Sequence, residues 1–218
     1  MFLGVDGTRH GQRRRARFFG RNADVPMVIV AVGTGASLAG ALPELNELTD
    51  DPLVMLERVR VLKRDGQRLA DPGTVSATDS SGLGLSQKLM IYTGEQAKHH
   101  GRPLYVELIR RLREANANGA TALRGIWGYH GDHKPHGDAL VSIQRRVPVV
   151  TSIVDTPERI CRWLEIVDEV TDEAGLVTSE IVPAVRASGP NIEHGGLALA
   201  AKHDEGPMRA HDAPGATG

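Results

Sequence analysis

P-V-V-T-S-I-V-D-T-P, running from Pro148 to Pro157, is the stretch that decides the fold. Pro148 to Val154 is β-branched and nearly continuous, a pattern that suits a central strand. Thr156 is placed to cap a following helix, and Pro157 fits a first helical turn, where its missing N–H leaves no bond unmade. Ile160, Trp163, Leu164 and Val167 then recur at helical spacing, and the helix stops before Gly175. Leu176 to Val185 reads as a further strand. Working upstream, Thr121 to Trp127 is a strand. Pro103 to Ala115 is a helix with Leu104, Leu108, Ile109 and Leu112 on one face, and Lys88 to Thr93 is a short apolar strand.

The resulting order, β-α-β-β-α-β, predicts the split arrangement of a ferredoxin-like α+β domain over 88–186, with an antiparallel sheet and two helices on one face. Its second and third strands are joined by a long segment, Gly128 to Arg146. Connections in compact domains usually take about 4–6 residues, so one this long is expected to carry function.

The chain repeats itself. V-P-M-V-I-V-A-V-G-T from Val25 matches V-P-V-V-T-S-I-V-D-T from Val147; L-G-V-D-G from Leu3 matches R-G-I-W-G from Arg124; L-V-M-L-E-R-V from Leu53 matches L-V-T-S-E-I-V from Leu176. Three anchors in one order at separations of 121 to 123 residues predict two copies of one domain. The first copy, 1–63, holds only the later four elements (β2-β3-α2-β4), and the offset places its expected start about 33 residues before Met1. Either further chain precedes Met1, or this copy borrows a strand from elsewhere, because an open sheet edge is an aggregation hazard. Residues 64–87, with Asp71-Pro72-Gly73 and Ser80-Ser81-Gly82, read as a linker. Residues 187–218 lack periodicity and read as a disordered tail.

Composition narrows the class. At 40% hydrophobic and 24% charged, the 218 residues are ordinary for a globular protein, but at 4% aromatic the core must rest on Val, Ile, Leu and Ala. A formal charge of −1 gives no electrostatic reason to expect nucleic acid or an acidic membrane as the main partner. A single cysteine, Cys161, excludes an intramolecular disulfide and suits a reducing, cytoplasmic compartment. The uncharged stretch Val25 to Pro43 is broken by Pro26, Gly33, Gly35 and Gly40. Its counterpart in the other copy is charged, so it reads as strand plus helix and not as a membrane span.

The runs K-L-M-I-Y-T-G-E from Lys88, H-G-R-P-L-Y from His100, G-A-T-A-L-R-G-I-W-G from Gly119, P-V-V-T-S-I-V-D-T from Pro148 and G-L-V-T-S-E from Gly175 resemble, in order, the PII-like family catalogued as domain of unknown function 190. The resemblance implies a homo-oligomer, typically a trimer, binding a nucleotide or other small metabolite between subunits. It implies a regulator whose long loop meets a target such as a transporter, a small fluoride channel being one candidate. Two positions depart from the family pattern: Tyr129-His130-Gly131 stands where an aromatic-glycine pair is common, and Gly33-Thr34 replaces the Asp-Thr pair in the first copy.

Candidate chemistry falls into two main groups. Gly94, Glu95, Arg124, Gly125, Gly128, Lys134 and Asp155 form a candidate nucleotide or anion site, in which glycines let amides approach phosphate and arginine offers a bidentate fork. His130, His133 and His136, in the pattern H-x2-H-x2-H, form the alternative: a divalent-metal site of a metal-homeostasis protein, with His99 and His100 added across an interface. Arg13 to Arg17 read as a solvated basic loop, and Trp127 and Tyr129 as strand-end packing or a stacking surface for adenine. G-T-G-A-S-L-A-G from Gly33, followed by Glu57, mimics a dinucleotide fingerprint, but the second copy has no glycine there. No local signature of a nucleophile with its base, and no framed carboxylate pair, is present, so a non-enzymatic protein is expected.

Overall fold

The computed structural model describes residues 1–9, 12–16, 25–49, 52–73, 78, 84–129, 136–137, 147–171, 175–182, 184–188 and 191–195. Its core is set by period-two burial in Ser86–Gly94, where Gln87, Leu89, Ile91 and Thr93 point inward and their neighbours are half-buried. In chain order the main elements are α1 (Gly35–Leu48), β1 (Arg60–Arg64), β2 (Gln67–Arg68), β3 (Ser86–Gly94), α2 (Leu104–Glu114), β4 (Ala120–Arg124), β5 (Pro148–Asp155), α3 (Pro157–Val170) and β6 (Leu176–Val182). Six strands form one sheet in the order β4-β5-β3-β6-β1-β2, with every neighbouring pair antiparallel. The four strands of the complete copy thus take the ferredoxin-like order, with the first strand, β3, in the middle.

α2 and α3 cover one face. Leu104, Leu108 and Leu112 of α2 meet Ile160, Trp163, Leu164, Val167 and Val170 of α3 over Leu89, Ile91, Ile153 and Val177 of the sheet. Pro103 stands at the N-cap of α2, one position before its first turn. Thr156 is the N-cap of α3 in extended conformation, without a capping bond from its own side chain; its N–H is taken by Asp155 Oδ1 at 3.0 Å. Gly175 leads into β6 at φ +100, where a Cβ would lie 2.6 Å from Tyr92 O. Only glycine fits there.

The two stretches matched in the sequence share local geometry. Phe2–Leu3 pairs antiparallel with Met27–Val28 in the register Phe2↔Val28 and Leu3↔Met27. In the complete copy the equivalent pairs are Leu123↔Val150 and Arg124↔Val149. Gly4 N donates to Pro26 O at 2.7 Å, and Gly125 N donates to Pro148 O at 2.7 Å. α1 and α3 are both 14 residues long, and each follows an extended threonine cap.

Three stretches differ from the sequence expectation. First, the interval read as a linker, 64–87, contains most of a hairpin. β1 pairs with β6 and turns through Asp65-Gly66, both at positive φ, into β2. Leu62 is fully buried in the core of the complete domain. Lys63, nearly buried, donates to Asp168 O at 2.9 Å, and Arg68 Nη1 donates to Asp168 Oδ2 at 2.6 Å, so the hairpin is fastened to α3. Second, the strand expected from Leu53 is not formed there. Residues 52–59 are without strand structure and pair with no strand among the described residues. Third, the tail expected to be disordered from 187 begins with a hairpin, Ala184–Ser188 against Asn191–Gly195. The intervening Gly189-Pro190 is of turn-forming composition. Residues 196–218 lie outside the described residues.

Candidate ligand site at the base of the long loop

β3 ends, β4 ends and β5 begins at the same end of the sheet, because Arg124 is registered opposite Val149 and Gly94 opposite Pro148. This brings together five of the seven residues named from sequence. Arg124 Nη2 forms an ion pair with Glu95 Oε1 at 2.5 Å, with the arginine side chain about half exposed and the glutamate mostly covered. Glu95 N donates to Val147 O at 2.9 Å, fixing the residue beside the strand-five entry. The second carboxylate oxygen, Glu95 Oε2, is buried and has no hydrogen-bond partner among the described residues. An unmade bond at such a position costs about 1–3 kcal/mol.

Pro148 is the surface against which the glycines fold. A Cβ on Gly125 would lie 2.7 Å from Pro148 Cγ and 3.0 Å from Met1 O; one on Gly128 would lie 3.0 Å from Pro148 Cγ. These glycines serve close packing of the loop's base, and Gly94 has open space around it. Pro26 plays the same part in the first copy, where a Cβ on Gly4 would lie 2.8 Å from Pro26 O and one on Gly7 would collide with Pro26 Cγ. The two copies touch here: Ile126 N donates to Met1 O at 2.9 Å, and Met1 N to Trp127 O at 2.7 Å. Trp127 and Tyr129, both exposed, stand edge to face with ring centroids 6.1 Å apart.

Asp155 does not join this group. It lies at the other end of β5, about 24 Å away at about 3.4 Å of rise per residue. It is buried and occupied: it accepts from Trp163 Nε1 at 2.9 Å, Asn118 Nδ2 at 3.1 Å and Thr156 N at 3.0 Å, and pairs with Arg159 at 3.2 Å. Its work is to tie β5 to α3. The sequence reading named it with the candidate nucleotide or anion site; the length of β5 separates it from the other members.

Lys134, His130 and His133 lie outside the described residues. His136 is in a two-residue pairing, opposite Gly128, and its side chain also lies outside. His99 and His100 meet edge to face at 4.2 Å, with Arg111 Nη2 3.3 Å from His99 Nε2; a guanidinium at that distance opposes a cation. Among the described residues, no group of three or more His, Cys, Asp or Glu is arranged to hold a metal. Glu57 pairs with Lys88 at 3.8 Å, and Thr34 Oγ1 accepts from Ser37 N at 3.2 Å, so the G-T-G-A-S-L-A-G run serves as a helix cap.

No helix among the described residues is long and apolar enough to cross a membrane. Fold and loop base together define a class: an α+β domain of ferredoxin-like, PII-like architecture with an ion pair at the root of its long loop. The chain belongs to the family of domain of unknown function 190, whose model, described as "Uncharacterized ACR, COG1993", matches residues 1–61 and 86–184. Over 97 residues it is 34% identical to the "UPF0166 protein" of Aquifex aeolicus (strain VF5), covering 44% of this chain and 90% of that protein. The relative is therefore of single-copy length. Most of the Arg60–Arg68 hairpin falls in the interval 62–85 that the family pattern leaves unmatched.

Proposed function

We propose that this chain is a non-catalytic, PII-like regulator of the cytoplasm that binds a small anionic ligand at the base of the 128–146 loop. Occupancy of that site is passed to a partner such as a transporter or channel, a fluoride channel among the candidates, and the working unit is a homo-oligomer. The observation that carries this reading is the Glu95–Arg124 pair. Its guanidinium is half exposed, while one carboxylate oxygen is buried with no donor among the described residues. An anion bearing a hydroxyl or N–H group, as an adenine nucleotide does, supplies both missing partners: phosphate for the arginine and a donor for the carboxylate. The exposed Trp127–Tyr129 pair offers a flat apolar surface beside it.

The test is a thermal-shift series with ATP, ADP, AMP and cyclic dinucleotides on the wild-type chain and on Arg124→Ala, with zinc, copper and nickel salts as parallel arms. Ligand at a hundred times its Kd adds about 2.7 kcal/mol of stability by mass action. A nucleotide shift in the wild type that is lost in Arg124→Ala supports the reading. A shift that survives Arg124→Ala contradicts the site, and a metal-only shift abolished by replacing His130, His133 and His136 with Ala contradicts the function.

A further inference from the structure

The sheet carries a second polar cavity, at the end opposite the loop base. It encloses about 210 Å³, and Arg58, Arg60, Pro72, Gln87, Ser179 and Ile181 contribute to its walls. Gln87 and Gly94 stand at opposite ends of β3, about 24 Å apart at about 3.4 Å of rise per residue. Strand register brings the walls together. Ser179 of β6 lies opposite Arg60 of β1 on one side and Leu89 of β3 on the other, and Ile181 lies opposite Gln87. Pro72 comes from the interval that the family pattern leaves unmatched.

Two features mark this cavity as a site. The first is the Gln87 amide, which is 1% exposed. Its Nε2 donates to Ser179 Oγ at 2.6 Å and to Pro72 O at 3.3 Å. The proline carbonyl can only accept, so the amide cannot be reversed. Oε1 is thereby left buried with no hydrogen-bond partner among the described residues, a state that folded proteins seldom leave unanswered. The second feature is positive charge that is not cancelled. Arg60 donates to a carbonyl, Asp71 O, at 3.3 Å, while the Asp71 carboxylate is taken by Arg68 at 2.6 Å. Gly73, at φ +83, lets this guanidinium lie close to the chain, since a Cβ there would meet Nη1 at 2.7 Å. Arg58 is exposed and has no carboxylate partner among the described residues. Glu180, which also lines the cavity, is paired with Lys88 at 2.5 Å.

We propose that this cavity binds a small oxyanion, a carboxylate or phosphate, that also carries an O–H or N–H group. The oxyanion is held by the guanidinium of Arg60, with that of Arg58 beside it, through charge-assisted hydrogen bonds. The hydroxyl or amine donates to Gln87 Oε1 and supplies its missing bond. Pockets for drug-sized ligands take about 300–1,000 Å³, so this smaller one suits a hydroxy acid, an amino acid or a short phosphate monoester and not a nucleotide. The site is separate from the Glu95–Arg124 pair and does not depend on what that pair binds.

The test is isothermal titration calorimetry on the full chain carrying Arg124→Ala, which removes the arginine of the loop base. The probes are L-malate, L-glutamate, phosphoethanolamine and inorganic phosphate, with succinate as the counterpart of malate that lacks the hydroxyl. At least one of the four donor-bearing anions is expected to bind at millimolar concentration or below, and succinate to bind about tenfold or more weakly than it. Adding Arg60→Ala or Gln87→Leu is expected to weaken that binding by about tenfold or more. Arg60 is exposed, so its variant keeps the fold, checked by circular dichroism, and decides the matter alone if Gln87→Leu unfolds. Absence of binding by all four probes overturns the proposal. So does binding that Arg60→Ala leaves unchanged, or succinate binding as tightly as the best of the four.

Discussion

Leu62→Ala removes a side chain that the sequence assigned to the end of the first copy and that the structure buries completely in the core of the second. It sits on β1, against β6, among Leu89, Ile91, Val167 and Val177 of the same cluster. Truncating a fully buried leucine costs about 2–5 kcal/mol, the transfer term plus the cavity left behind. At about 3 kcal/mol, and about 4–8 °C per kcal/mol for a domain of this size, the melting midpoint falls by about 12–24 °C. The assay is thermal unfolding followed by far-ultraviolet circular dichroism, with urea titration for the free energy. Leu69→Ala is the control: Leu69 follows the same hairpin but is half exposed, so its change stays within about 0.5 kcal/mol. If Leu62→Ala costs no more than Leu69→Ala, the hairpin is not part of the core, and the reasoning that joins residues 60–68 to the second domain fails.

Asp155→Ala leaves the Trp163 indole and the Thr156 amide without their acceptor and should cost about 2–5 kcal/mol, read from the urea midpoint and from Trp163 emission. A loss below about 1 kcal/mol would show that the carboxylate does not tie β5 to α3. Gly175→Ala forces a side chain into φ +100 and against Tyr92 O, and is expected to lower stability by about 1–3 kcal/mol in the same assay. Hydrogen bonds from Arg110 and then Arg111 hold the Glu107 carboxyl well below the usual carboxylate range. A depressed folded value means that its stabilisation is present above the unfolded pKa, about 4.3, and is lost as pH falls from there through the folded value. Glu107→Gln should therefore flatten the fall in stability below about pH 4, and an unchanged acid limb would count against this pairing.

The complete domain was legible because its signals agree. A short apolar run marks β3, a β-branched run marks β5, leucines at helical spacing mark α2, and a threonine-proline start marks α3. The hairpin at Arg60–Arg68 was hidden because the boundary at 63/64 divided it, its first arm counted with the first copy and its polar remainder as linker, until Lys63 and Arg68 are seen spent on Asp168. A signal was present all the same. Asp65-Gly66, both at positive φ, is the dipeptide that favours a two-residue hairpin turn. The candidate site was legible where its residues lie next to strand ends that the fold brings together, as with Glu95 and Arg124. It was not legible for Asp155, because nothing in the sequence showed that its carboxylate is spent on Trp163, Asn118 and the Thr156 amide at the far end of β5. For Gly125 the structure shows a packing requirement that the sequence did not display: the Pro148 ring leaves no room for a Cβ there.

The measurement closest to the central claim is amide hydrogen exchange of the full chain with and without millimolar ATP. It is read at peptides covering Gly94–Glu95 and Gly125–Tyr129, with α3 as an internal reference. The account predicts slower exchange at both loop-base peptides in the wild type, no change in α3, and no change anywhere in Arg124→Ala. Exchange that is unaltered by ATP throughout the wild-type chain, or slowed equally in Arg124→Ala, would contradict it.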